Sequence, residues 1–275
     1  MLASLPDNLL YSIVLPAILL SAAAAFLARA REIDLSLDQQ CYFVASVQAA
    51  LYLLLPSWIG AAVGLIVSFA LLVAIQSARL YFNRVIGLNG VATSDGLVTS
   101  IASGMILVGA ASVITWAAGG QRTPSYTLEL PPVMVLAVCG GILVAIWGLD
   151  CFSGNAQRVT FPVSPAVGAP PSKRASVIYA VAPAALLTAG AATLLGAYSQ
   201  SVTPAFTSGL GIIAATLAIL TFGRVRRSFV AGIGLAVIFI VPQMVFPGGG
   251  LVQSYVEPVS RLLIIAILPI FLSRP

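Results

Sequence analysis

The sequence predicts an all-α fold, a single bundle of about nine membrane-crossing helices over residues 1–275, with the N-terminus outside and the C-terminus inside. Of the 275 residues, 60% are hydrophobic and 8% are charged, and the mean hydropathy is +1.06. A soluble domain carries about 25% charged residues. This composition suits a bilayer, in which helices satisfy their own backbone groups and present apolar side chains to lipid.

Nine apolar segments have lengths near the ~20 residues that a bilayer span requires. The second begins with polar residues. The seventh, at about 14 residues, is short enough to be tilted, broken or sheltered inside the bundle. In chain order the segments are 9–27, 36–55, 59–81, 97–118, 132–151, 176–198, 209–222, 229–246 and 255–272.

The basic residues predict the orientation. With the N-terminus outside, Arg122 falls outside, Arg261 falls within the last span, and the other basic residues fall in inner loops. The opposite orientation would leave only Arg122 inside, so the positive-inside rule favours N-out and C-in. The inner residues are Arg29, Arg31, Arg79, Arg84, Arg158, Lys173, Arg174, Arg224, Arg226, Arg227 and Arg274.

Several function classes are disfavoured by composition. Histidine is absent, which removes the commonest metal ligand and the commonest general base. The cysteines at 41, 139 and 151 are scattered. We therefore expect no enzyme activity, no metal site and no cofactor. The net charge of +5 is explained by basic residues that flank spans, so no nucleic-acid partner is expected.

The second segment holds the candidate substrate path. Polar side chains within a span are costly unless they are bonded, so they face the bundle or a cavity. Two other interpretations remain open, namely carboxylates at solvated helix ends and amides that only join helices. The candidate path residues are Asp34, Asp38, Gln39, Gln40, Ser46 and Gln48.

Two further sites are predicted. Glu257 and Arg261 are four residues apart and so share a helix face, where they form an intramembrane charge pair or an interfacial pair that extends outward.

The longest inner loop, 152–175, contains a proline-rich run at 161–171 that prevents a long helix. We predict that it docks a cytoplasmic partner, unless its basic residues only set the topology. Its docking residues would be Arg158, Lys173 and Arg174.

Four stretches, 33–48, 79–84 with 98–107, 165–174 with 182–196, and 261–275, together resemble the permease subunits of branched-chain amino-acid ABC transporters. That family also includes urea and short-amide transporters. Two departures stand out. Asp38, Gln39 and Gln40 replace the family's Ala-His-Gly, and prolines replace the helical part of its coupling stretch.

The resemblance implies a bacterial inner-membrane permease subunit that forms the path for a small polar solute such as branched-chain amino acids, amides or urea. Its partners would be a second, homologous permease, two cytoplasmic ATPase subunits and a periplasmic solute-binding protein. The chain has no Walker motif, so a partner would supply the energy. Two alternatives are an ion-coupled secondary transporter and a non-transporting structural subunit of a membrane complex. The two departures favour the structural subunit.

Overall fold

The computed structural model describes part of the chain. The predicted docking loop 152–175, with Arg158, Lys173 and Arg174, lies outside the described residues, as does the predicted pair Glu257 and Arg261. The described residues are 14–30, 32, 34–55, 57–86, 92–119, 141, 144–148, 150–151, 176–199, 202, 209–220 and 224–234.

All regular structure in these ranges is helical, which confirms the predicted all-α class for them. A π-helical turn, Val177–Val181, leads into the helix that begins at Ala182, and residues 144–148 and 225–234 are also helical. The main helices are α1 (Leu15–Arg29), α2 (Leu37–Leu54), α3 (Ser57–Ile86), α4 (Ala92–Gly119), α5 (Ala182–Ser199) and α6 (Leu210–Leu220).

Three stretches in the described part of the chain are long and apolar enough to cross a membrane: Ala62–Asn83, Val98–Ala118 and Val177–Gly196. A shorter apolar stretch, Leu15–Ala28, lies in α1. The outward face of α4 exposes large apolar side chains, among them Met105 and Trp116, at 72% and 74%. Lipid is the surrounding in which such a face is stable.

Helices α1 and α2 form the centre of the bundle. α1 packs against α5 and α6, and α2 packs against α3, α4 and α5. Small side chains make this packing close, because alanine lets helix backbones approach within the bilayer. The run Ala22–Ala25 of α1 is buried, as are Ala184, Ala185 and Ala189 of α5.

The start of α2 is recessed inside the bundle. Ser36, just before α2, and Gln40, in its first turn, contact Arg79 and Gln76 of α3. From Arg79, α3 continues to Ile86, a further ~10 Å at 1.5 Å per residue. The connection between α1 and α2 therefore does not extend as far as the end of α3, and helices surround it.

Helix α6 begins beside α2. The carboxylate of Asp38 accepts hydrogen bonds from the backbone N–H groups of Gly211 (2.8 Å) and Ile212 (3.3 Å). The sequence predicts Asp38 at the inner end of the second segment and the start of the seventh segment at the outer face, and this contact excludes that combination. With 11 residues, α6 is ~16 Å long, about half of a bilayer core. It matches the alternative of a short helix sheltered in the bundle.

We expect Gly211→Ala to destabilise the protein by about 1–3 kcal/mol, as overpacking does. A Cβ at position 211 would lie 2.7 Å from the backbone nitrogen of Asp38 and 2.9 Å from its Oδ1. The measurement is the unfolding midpoint of the purified protein in mild detergent. Gly109→Ala in α4 is the matched control, because a Cβ there meets nothing within 4 Å. An unchanged midpoint for Gly211→Ala would contradict the α2–α6 contact.

Candidate functional site

A buried polar cluster surrounds Asp34, in the connection between α1 and α2. Its Oδ1 accepts hydrogen bonds from the backbone N–H (2.8 Å) and hydroxyl (2.6 Å) of Ser36 and from the Ser100 hydroxyl (3.1 Å). Its Oδ2 accepts one from Gln40 Nε2 (2.6 Å). The Arg79 guanidinium forms a salt bridge with the same carboxylate. The polar cluster comprises Asp34, Ser36, Gln40, Gln76, Arg79 and Ser100.

Local geometry explains why these residues meet. The bond from the Ser36 N–H to Asp34 is an Asx turn, which ends the connection and lets α2 begin at Leu37. Gln40 lies one turn into α2, so its side chain reaches back to this turn. Gln76 and Arg79 are three residues apart and share the face of α3 that meets it. Gln76 Nε2 donates to Gln40 Oε1 (2.7 Å).

The charges of the cluster compensate each other. Burial raises the pKa of Asp34, but the charge of Arg79 and hydrogen bonds from Arg79 and Ser36 together bring that pKa below its usual value. Asp34 is therefore a carboxylate at neutral pH. Within the bundle an unpaired charge would be costly, so the two residues depend on each other.

The cluster retains unused hydrogen-bonding capacity. Gln76 Oε1 and Arg79 Nε are buried and find no partner among the described residues, and the same holds for Gln39 Oε1 and Ser77 Oγ. A buried polar atom without a partner costs about 1–3 kcal/mol. A water molecule or a polar solute beside Gln76 and Arg79 would remove that cost, because it finds one acceptor and one donor on adjacent turns of α3.

The polar groups continue towards the end of α3. Asn83 Nδ2 donates to Glu32 Oε2 (2.6 Å), and the Thr99 hydroxyl donates to Asn83 Oδ1 (2.6 Å). From Gln76 to Asn83 the polar face of α3 extends ~10 Å. A continuous polar stripe therefore leads along α3, from the interior of the bundle towards the C-terminal end of this helix.

The structure divides the predicted path residues into separate groups. Asp34 and Gln40 belong to the cluster, whereas Asp38 caps α6. The carboxylates of Asp34 and Asp38 are buried, so the interpretation as solvated helix ends is wrong for both. The side-chain carbons of Gln39 lie against Gly104 of α4.

Ser46 and Gln48 join helices instead. The Ser46 hydroxyl donates to the Tyr42 carbonyl (2.9 Å) within α2 and accepts a long bond from Thr115 (3.5 Å) of α4. Gln48 Nε2 donates to the Thr193 hydroxyl (2.8 Å) of α5. For Gln48 the alternative interpretation, an amide that joins helices, is the one that the structure favours.

Four members of the cluster were missed by sequence reasoning, namely Ser36, Ser100 and the two residues of α3. Arg79 counted as an inner-loop charge, yet it is 6% exposed and lies within α3. Gln76 received no role. Their spacing was the available indication, because two polar residues three apart in an apolar span must share one face, and that face must avoid lipid.

A second polar contact joins residues 144–148 and 150–151 to the helical segment 225–234. Arg226 Nε lies 3.1 Å from Asp150 Oδ2, and the guanidinium stacks 4.7 Å from the ring centre of Trp147. The sequence places both charged residues at inner segment ends, and the structure brings them together. An apolar cavity of about 240 Å³ lies beside them.

No three His, Cys, Asp or Glu side chains in the described ranges come together as a possible metal site. Comparison of the chain with family models, with curated proteins and with solved structures finds no match.

Proposed function

We propose that this chain is a transmembrane permease subunit that forms the path for a small polar solute in an importer of the bacterial inner membrane. The observation that carries the proposal is the polar cluster with its unused donor and acceptor. It lies among helices whose outward faces are apolar. The resemblance of four sequence stretches to ABC permeases supports the same function.

The chemistry of the cluster supports a solute that both donates and accepts hydrogen bonds. Asp34 and Arg79 neutralise each other, so neither a free anion nor a free cation is preferred. Arg79 Nε offers a donor and Gln76 Oε1 an acceptor. Amides, urea and the polar ends of branched-chain amino acids carry both kinds of group.

The energy source that fits best is a partner ATPase. In ion-coupled transporters a carboxylate within the membrane commonly carries the proton. The salt bridge to Arg79 keeps Asp34 ionised, which makes it a poor proton carrier. The proposed complex contains a second, homologous permease, two cytoplasmic ATPase subunits docked at loop 152–175, and a periplasmic solute-binding protein.

Purification of the chain from its native membrane tests the proposal. We expect ATPase subunits and a second permease to be recovered with it, and the reconstituted complex to take up solute only when ATP is supplied. Ion-driven uptake by the chain alone would support the secondary transporter and contradict the proposal. Recovery with unrelated subunits, without uptake, would identify a structural subunit instead.

The proposed topology has about nine crossings, N-out and C-in. In this topology Arg224–Arg227, which follow α6, lie at the inner face. Reporter fusions after Arg84 and after Arg227 are therefore both expected to read cytoplasmic. A periplasmic reading after Arg84 would reverse the orientation. A periplasmic reading after Arg227 alone would show that α6 runs towards the outer face.

A further inference from the structure

We propose that the cavity between segments 144–148 and 225–234 binds an anionic phospholipid. This inference is independent of the proposed transport function. The cavity has a volume of about 240 Å³, and among the described residues that line it only Asp150 and Arg226 are charged. The others are Val144, Ile146, Trp147, Val225 and Phe229.

The charge beside the cavity favours a phosphate group. Asp150 neutralises Arg226 through their salt bridge. Arg224 and Arg227 lie on either side in the sequence, and neither forms a salt bridge with any described residue. Residues 224–227, counted together with Asp150, therefore carry a net charge of +2. Basic pockets between transmembrane helices are where acidic lipid headgroups bind.

The surroundings are those of a membrane boundary. Trp147 is 58% exposed, and the apolar side chains of Val144 and Val230 are also exposed. Tryptophan and arginine are enriched where the hydrocarbon core meets the headgroups. The cavity is smaller than the ~300–1,000 Å³ of sites that enclose a whole small molecule. It suits a section of an acyl chain, with the phosphate held outside it by the arginines.

Lipid binding by the purified full chain in non-ionic detergent tests this site. Native mass spectrometry would follow titration with phosphatidylglycerol and, separately, with the zwitterionic phosphatidylcholine. We expect preferential retention of phosphatidylglycerol. Arg224→Gln/Arg227→Gln should weaken that binding about 30-fold, because each basic residue near a charged lipid contributes ~1 kcal/mol and tenfold is 1.4 kcal/mol. Phosphatidylcholine binding should change little.

Two further variants make the test specific. Lys173→Gln/Arg174→Gln removes the same charge from a predicted inner loop and should leave lipid binding unchanged. Val144→Phe places a ring in the cavity from an exposed position and should weaken phosphatidylglycerol binding at least tenfold without changing charge. An equal loss of phosphatidylglycerol binding in Arg224→Gln/Arg227→Gln and in Lys173→Gln/Arg174→Gln would overturn the site, because binding would then depend only on the net charge of the protein. Native binding by Val144→Phe would also overturn it.

Discussion

Arg79→Leu is expected to lower the free energy of unfolding by about 3–5 kcal/mol, because it leaves the Asp34 carboxylate buried without its opposite charge. Denaturation of the purified protein in detergent measures the loss. The control is the double variant Asp34→Asn/Arg79→Leu. Its neutral amide still accepts hydrogen bonds from Ser36 and Ser100, so most of the lost stability should return. A loss below ~0.5 kcal/mol for Arg79→Leu would indicate that water reaches Asp34.

The pH dependence of the same variant provides a second measurement. In the native protein the pKa of Asp34 is lowered, so the pair contributes stability above the unfolded pKa of ~3.9 and loses it as the pH falls through the folded pKa. In Arg79→Leu, burial, the largest influence, raises that pKa, and only the hydrogen bonds from Ser36 still lower it. Protonation then relieves the buried charge, and the stability difference between the two proteins should shrink as the pH is lowered.

The sequence could predict the helices better than their depth. Apolar length identifies α3, α4 and α5, since segments of about 20 apolar residues have few other stable conformations. Apolar length does not show how deep in the bundle the polar ends of these helices lie. The third segment was predicted to end at 81, whereas α3 extends to Ile86. Arg79, two residues before the predicted end, therefore lies two turns inside the helix instead of at its boundary, where it can pair with Asp34.

Helix α6 shows the same limit more strongly. Its apolar run predicts a helix, but its position depends on the bond between Asp38 and Gly211, which are 173 residues apart. Hydropathy contains no information about such a contact. The glycines were a partial indication: Gly209 adopts φ 79° before the helix, and Gly211 leaves room for the Asp38 carboxylate. In the sequence both are also consistent with ordinary helix packing.

Gln40→Leu/Gln76→Leu is expected to reduce solute uptake roughly tenfold to 100-fold. The double change removes the free acceptor of Gln76, and a hydrogen bond lost to a solute costs ~0.5–1.5 kcal/mol. It also removes the Gln40 amide, which orients Gln76 and donates to Asp34. Two leucines also make this part of the path prone to dewetting. Uptake is measured in native host cells whose own copy of the gene is deleted, and is normalised to the amount of the chain in the membrane.

Gln48→Leu/Thr193→Val is the matched control for this experiment. It removes another hydrogen-bonded polar pair, at 2.8 Å, which joins α2 to α5 outside the cluster. Because both partners become apolar together, neither is left unsatisfied, and stability should fall only modestly. Uptake should stay within about twofold of native. Equal loss in both variants would mean that bundle stability limits uptake, and native uptake in Gln40→Leu/Gln76→Leu would remove the cluster from the path. Only a selective loss in Gln40→Leu/Gln76→Leu fits a solute that bonds to the free acceptor of Gln76.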